Sequence, residues 1–195
     1  MFEHSHQSND LKTRLAAFME QYLYPHEQEY AAQREAASER FAPLPLIEDL
    51  KARARGEGLW NLFVPPTFAN FSPVAGLTNF DYAPLAEMMG RVLWSAEVFN
   101  CGAPDTGNME VLMKYATLEQ QDRWLTPLLS GEIRSSYAMT EPQVASSDAT
   151  NIELRIERDH DQWVLNGRKW FITGAMNTQT RLFIVMGKSD PDNPD

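Results

Sequence analysis

A chain of 195 residues, 43% of them hydrophobic, can bury a core as one or two domains and is not disordered by composition. Its 27 acidic against 17 basic residues, a net charge of -10, argue against nucleic acid as a partner, because phosphate backbones need clustered Lys and Arg. No apolar run is long enough for a membrane span or a secretory segment, and the single Cys101 excludes an internal disulfide; the natural reading is a buried thiol in a reducing cytoplasm, with mitochondrion or peroxisome reserved for a eukaryotic chain.

The polar first nine residues read as a loose terminus, and His4 and His6 are not a metal site. Asp10 is a candidate cap for a helix running to about residue 39, with Leu11, Leu15, Phe18, Met19 and Tyr22 at helical spacing and Pro25 breaking or kinking it. Leu46, Ile47 and Leu50 open a second helix that Gly56 and Gly58 end. Residues 59–64 are apolar and read as extended, and 66–78 read as a loop. Asn79 is a candidate cap for a third helix carrying Tyr82, Leu85, Ala86 and Met89, and 93–99 reads as a buried helix start. A helix over 110–115 is expected to turn Val111, Leu112 and Tyr115 inward. Another over 118–129 carries Trp124, Leu125 and Leu128, bends at Pro127 and ends at Gly131.

After Gly131 the period becomes strand-like. A short strand through Ser135, Ser136, Tyr137, Ala138 and Met139 is stopped by Pro142, which bars the helical conformation at Glu141. The loop over 143–151 is rich in Ser, Thr, Asp and Asn. Such a loop can turn free amides and hydroxyls toward an anion such as a pyrophosphate, though a polar loop after a strand is ordinarily only a loop. Ile152, Leu154 and Ile156 alternate with charged residues as a strand with one buried face, and residues 159–161 read as a turn. Asn166 and Gly167 between two β-prone runs predict a hairpin joining 162–165 to 168–173. Trp163, Trp170 and Phe171 suit a half-buried pleated surface, either as ordinary sheet core or packed on a flat heterocycle. Residues 181–186 read as a central strand. The expected architecture is α+β: an all-α helical domain over 1–131, then an antiparallel β domain over 132–195.

Three runs carry a family resemblance. They are Tyr-x-Met-Thr-Glu-Pro at 137–142 followed by Ser146, Ser147 and Asp148; Lys-Trp-Phe-Ile-Thr-Gly at 169–174; and Ala-Pro-Asp-Thr-Gly-Asn-Met-Glu at 103–110. In order and spacing they resemble the acyl-CoA dehydrogenase family over nearly the whole chain, and the last run resembles the branch of family members ten and eleven, associated with long or branched acyl chains. The resemblance implies FAD as cofactor, with Tyr137, Met139, Thr140, Ser147, Phe171, Ile172 and Thr173 at the flavin. Thr140 is implied at the pyrimidine side of the ring, Met139 beside it through its backbone, Phe171 packed on the ring, Thr173 near flavin N5, and Ser147 between the flavin phosphates and bound acyl-CoA. Phe171 stands where most members have Trp, and the loop after Pro142 is one residue longer than the common Gly-rich form.

The implied reaction is α,β-dehydrogenation of a fatty acyl-CoA: a carboxylate takes the α proton while the β hydrogen leaves as hydride. The resemblance implies an electron-transfer flavoprotein as acceptor and a homodimer or tetramer. It places the base in a C-terminal helical bundle not present here, so no residue of this chain is assigned as catalytic, Glu141 is read as structural, and the chain is expected to be the flavin-contacting part of a longer enzyme. A different flavin oxidoreductase on the same fold, or a non-catalytic binding module, are the alternatives.

Overall fold

The computed structural model describes residues 3–71 and 76–190. Helix α1, His6–Phe18, is capped by Ser5, whose hydroxyl accepts from the Ser8 amide; Asp10 lies inside it and instead faces Arg14. Pro25 lacks the amide donor a helix needs, and the chain accommodates it by widening to a π turn over Met19–Leu23 and tightening over Tyr24–His26. The helix resumes as α2, Glu27–Ala36, and stops short of residue 39. Helix α3, Pro45–Gly56, begins on a proline at its first turn, where no donor is required. Residues 59–64 are buried, as their composition demands, but run in turns rather than extended; Asn61 takes a left-handed conformation there. The expected loop over 66–78 holds a short helix at Pro66–Phe71, and its residues 72–75 lie outside the described residues.

Helix α4, Asn79–Met89, is capped by Thr78 rather than Asn79. The expected buried helix start over 93–99 reduces to one turn, α5, Ser95–Val98, with Leu93 fully exposed. Helix α6, Asp105–Tyr115, starts five residues earlier than its apolar residues suggest, and its inward face is Asn108, Met109, Leu112 and Met113, with Val111 and Tyr115 turned out. The face is set by packing, and Met109 and Met113 reach the core where Val111 would not. Helix α7, Leu118–Gln120, has a complete capping box from Thr117 and Gln120; a π turn, Gln121–Leu125, leads into α8, Thr126–Ser130, ended by Gly131 in the left-handed region. A side chain at Gly131 would also strike the Trp60 ring. These helices share one apolar core that runs from Leu11 to Leu128.

Among the described residues the β part has four strands: β1, Arg134–Ala138; β2, Arg155–Asp159; β3, Gln162–Asn166; and β4, Thr180–Val185. The expectation of an antiparallel domain holds only for β2 and β3. Strands β1 and β4 run parallel, because the chain crosses over between them instead of turning back. The hairpin turn lies at His160 and Asp161, with His160 at positive φ, and not at Asn166 and Gly167. Gly167 instead lies so close to Leu154 that a Cβ would sit 2.8 Å from its Cα. Residues 168–173 form no strand with β3 but cross to β1's end. Among the described residues β4 pairs with β1 alone, so it is not central. Beyond β4 the chain reaches β2: the Ile156 amide donates to the Lys188 carbonyl, and the Lys188 amide to that of Leu154.

Candidate flavin-facing site

Strand β1 hands over to Met139, Thr140 and Glu141, and the 168–173 segment lies against them. The Trp170 amide donates to the Thr140 carbonyl (3.1 Å), and the Thr140 hydroxyl donates back to the Trp170 carbonyl (2.6 Å). Lys169 reaches across the same seam to the Met139 carbonyl and to Glu141, both at 2.8 Å. Two segments thirty residues apart in sequence thus become one surface.

Glu141 holds this surface from beneath. Its carboxylate accepts from the amides of Glu153 (2.8 Å) and Leu154 (3.0 Å) and from Lys169, and its own amide donates to Ser146 (2.6 Å). Burial by itself raises the carboxyl's pKa; the Lys169 bond and the two amides outweigh that, and Glu141 sits below the ordinary carboxylate range. Both oxygens are engaged by donors that favour the ion. Glu141 is thus bound as an ion by one lysine and two backbone amides, an arrangement that suits a structural carboxylate.

The polar loop after Pro142 folds on itself. Asp148 accepts from the Thr150 hydroxyl and amide, which lower its pKa, and Asn151 donates to the Ala145 carbonyl. Ser147 projects from this loop into solvent, while Tyr137, Met139 and Thr140 are half-buried. Phe171 is 84% exposed at φ 49°, a conformation a bulky side chain rarely adopts, and its ring packs at 4.6 Å on Trp170. Thr173 is exposed beside it. Ile172 points the other way, into a cavity of about 530 Å³ shared with Tyr30, Arg34 and Phe41 of the helical part. Gly174, at φ 80°, ends the segment; a Cβ there would sit 3.3 Å from Ser136 Oγ, so the turn packs directly on β1.

Of the expected residues, Met139 and Thr140 lie on the seam and Phe171, Ile172 and Thr173 in the segment that follows Trp170, while Tyr137 stands in β1 and Ser147 on the loop after Pro142. Trp170 and Lys169, which tie the two segments, were not among the expected site residues. Both stand in the 169–174 run that carries the family resemblance, but neither was given a role there; Trp170 otherwise read only as a β-prone aromatic. The chemical offer is an exposed ring, exposed hydroxyls at Ser147 and Thr173, and a Thr140 oxygen left as an acceptor because its proton is on Trp170. These fit a flat, hydrogen-bonding heterocycle.

The chain belongs to the acyl-CoA dehydrogenase family: residues 5–132 match the acyl-CoA dehydrogenase N-terminal domain and residues 136–195 the middle domain. Acyl-CoA dehydrogenase family member 10 of Mus musculus is 52% identical over 94% of this chain and 17% of that protein. A Mycobacterium tuberculosis relative named as an acyl-CoA dehydrogenase is 48% identical over 98% of this chain and 46% of that protein. The chain therefore spans less than half the length of these relatives. A solved structure from Mycobacterium abscessus, assigned to the acyl-CoA dehydrogenases, superimposes with a TM-score of 0.91 at 42% identity, over 99% of this chain and 48% of that one. Butyryl-CoA dehydrogenase from Megasphaera elsdenii shares the fold at 20% identity, with a TM-score of 0.67 over 97% of this chain and 46% of that one. Among the described residues no helix is long and apolar enough to cross a membrane.

Proposed function

We infer that this chain is the flavin-contacting part of an FAD-dependent acyl-CoA dehydrogenase acting in fatty acid β-oxidation. The observation that carries the reading is the Thr140–Trp170 seam, which sets the 137–140 and 170–173 runs side by side with the Phe171 ring bare. Bound FAD supplies a planar two-electron acceptor for the hydrogen leaving the acyl β carbon. Phe171 would pack against the ring and exclude water from that face. Thr140 would offer an acceptor, Thr173 a hydroxyl, and the Met139 backbone and Tyr137 would complete the wall. Ser147, by the family resemblance, would serve both the flavin phosphates and the acyl-CoA. The α proton goes to a carboxylate outside these two segments, since Glu141 is committed to Lys169 and two amides.

We propose a long or branched acyl-CoA as substrate, on the resemblance of the 103–110 run to the branch of family members ten and eleven. The electron acceptor is an electron-transfer flavoprotein, and the assembled enzyme is a homodimer or tetramer. Residues 1–131 serve as helical platform and 132–195 as flavin face. The test is the visible spectrum of the purified chain, before and after anaerobic addition of a long-chain acyl-CoA. A flavin band is expected, and bleaching only where a carboxylate outside the two segments reaches the acyl α carbon. A chain that binds no flavin would contradict the reading. That result would favour a non-catalytic binding piece, to which the exposure of all five β3 residues also points.

A further inference from the structure

The Ala-Pro-Asp-Thr-Gly-Asn-Met-Glu run at 103–110 has no part in the flavin face, yet it contains two buried polar residues, Asp105 and Asn108. Both meet β1. Asp105 Oδ1 accepts from the Ser135 amide (2.7 Å) and the Ser135 hydroxyl (2.6 Å), and Asn108 Nδ2 donates to the same hydroxyl (2.9 Å). Asp105 Oδ2 lies 2.5 Å from Arg134 Nε. Arg134 continues to Glu97 (3.0 Å), and Glu97 to the buried Lys51 (3.1 Å), so the strand's first residues are tied through one chain of charges to α6, α5 and α3.

The pairing of β1 with β4 shifts at this point. Arg134 lies opposite Thr180 and Ser135 opposite Leu182, so Arg181 is skipped; from there the ladder is regular to Ala138 opposite Val185. The Ser135 amide is held by the buried carboxylate. A strand's side chains alternate faces, so a slip of one residue turns every following side chain over. Irregular pairings of this kind re-aim side chains beside functional sites.

We propose that Asp105 is a positioning residue for the flavin face: by holding the Ser135 amide it fixes the β1–β4 register, and with it which side chains of Tyr137, Met139 and Thr140 are offered to the cofactor. The proposal rests on the flavin reading above and assigns a role to the 103–110 run. Gly174 packs on Ser135 and Ser136, so the 170–173 segment is set by the same lock.

The experiment compares the full chain with Asp105→Ala and Asp105→Asn. FAD affinity is read by flavin fluorescence, and register by cross-strand NOEs between Ser136 and Phe183. Asp105→Ala loses those NOEs and weakens FAD about tenfold or more, an amount equal to about 1.4 kcal/mol. Asp105→Asn keeps an acceptor for the Ser135 amide and stays within about threefold of the parent, well inside that tenfold unit. If Asp105→Ala does not fold, Asp105→Glu replaces it. The longer side chain keeps the charge but displaces Ser135, and the same loss of NOEs and affinity is expected. Parent-like NOEs and FAD affinity in Asp105→Ala, or in Asp105→Glu where that variant is used, overturn the proposal. A parent chain that binds no FAD contradicts the flavin reading instead, and the NOE arm still decides the register.

Discussion

In the helical part Leu15, Leu23, Leu59, Leu62, Leu85 and Met109 are wholly enclosed. In the β part, among the described residues, only Ala138, Ile152 and Leu154 are buried apolar side chains, and β3 is exposed from Gln162 to Asn166. The first part is held by burial, each enclosed Leu contributing about 1.5–3 kcal/mol. The second is held by two buried carboxylates, Asp105 at the start of β1 and Glu141 at its end, each gripping backbone amides. Burial is non-directional and tolerant. A charge-assisted hydrogen bond is directional and fixes a strand's position, which suits a surface that must meet a ligand. The same economy leaves Trp163, Trp170 and Phe171 uncovered.

Removing a clamp should do as much harm as removing a core side chain, but in a different place. Glu141→Ala strands Lys169, which is 9% exposed in its side chain, and should cost about 3–5 kcal/mol in urea unfolding. Amide exchange should quicken first at Glu153 and Leu154, with the helices following only on global unfolding; uniform quickening would break the distinction between the two parts. Leu15→Ala should cost about 2–5 kcal/mol and show the reverse pattern, loosening α1 and α4 before the strands.

The contrast should also appear with pH. Glu141 holds its proton more weakly folded than unfolded, so its contribution is complete above the unfolded value of about 4.3 and is lost as the pH falls through the lower folded value. Acid unfolding of the parent should therefore begin in the β part, and Glu141→Gln should flatten the decline below about pH 4.3. Amide exchange at Glu153 and Leu154 against the far-UV helix signal reads this. A smaller effect marks the other part: burial pushes the Cys101 thiol up to about 11, so a thiol reagent at neutral pH should label it only as the helical core opens.

Much of the helical part was legible because breakers act locally: Pro25 interrupts the first helix and Gly131 ends the last, whereas the caps expected at Asp10 and Asn79 fell to Ser5 and Thr78. The inward face of α6 was not, since Val111 and Met113 are equally apolar and only the packed neighbours choose between them. In the β part the Asn166–Gly167 signal misled. The hairpin turn lies at His160 and Asp161, within the 159–161 turn the sequence also showed, and Gly167 serves a close approach to Leu154 that no local pattern announces. The parallel pairing of β1 with β4, and the grip of Asp105 on Ser135, are contacts across thirty residues or more and have no periodicity. The residues proposed for the flavin face were readable only through the family resemblance, because a bare Phe171 and a half-buried Thr140 look like sheet core in the sequence.

Phe171 tests the central claim most directly, since its exposed ring contributes little to the fold. Phe171→Ala should change urea stability by no more than about 0.5 kcal/mol. An FAD titration of the parent and this variant, followed by flavin absorbance and fluorescence, should show binding by the parent and a loss of about tenfold in the variant, or about 1.4 kcal/mol. Equal affinity in the two chains, or no binding by the parent, would contradict the assignment of this surface to the flavin.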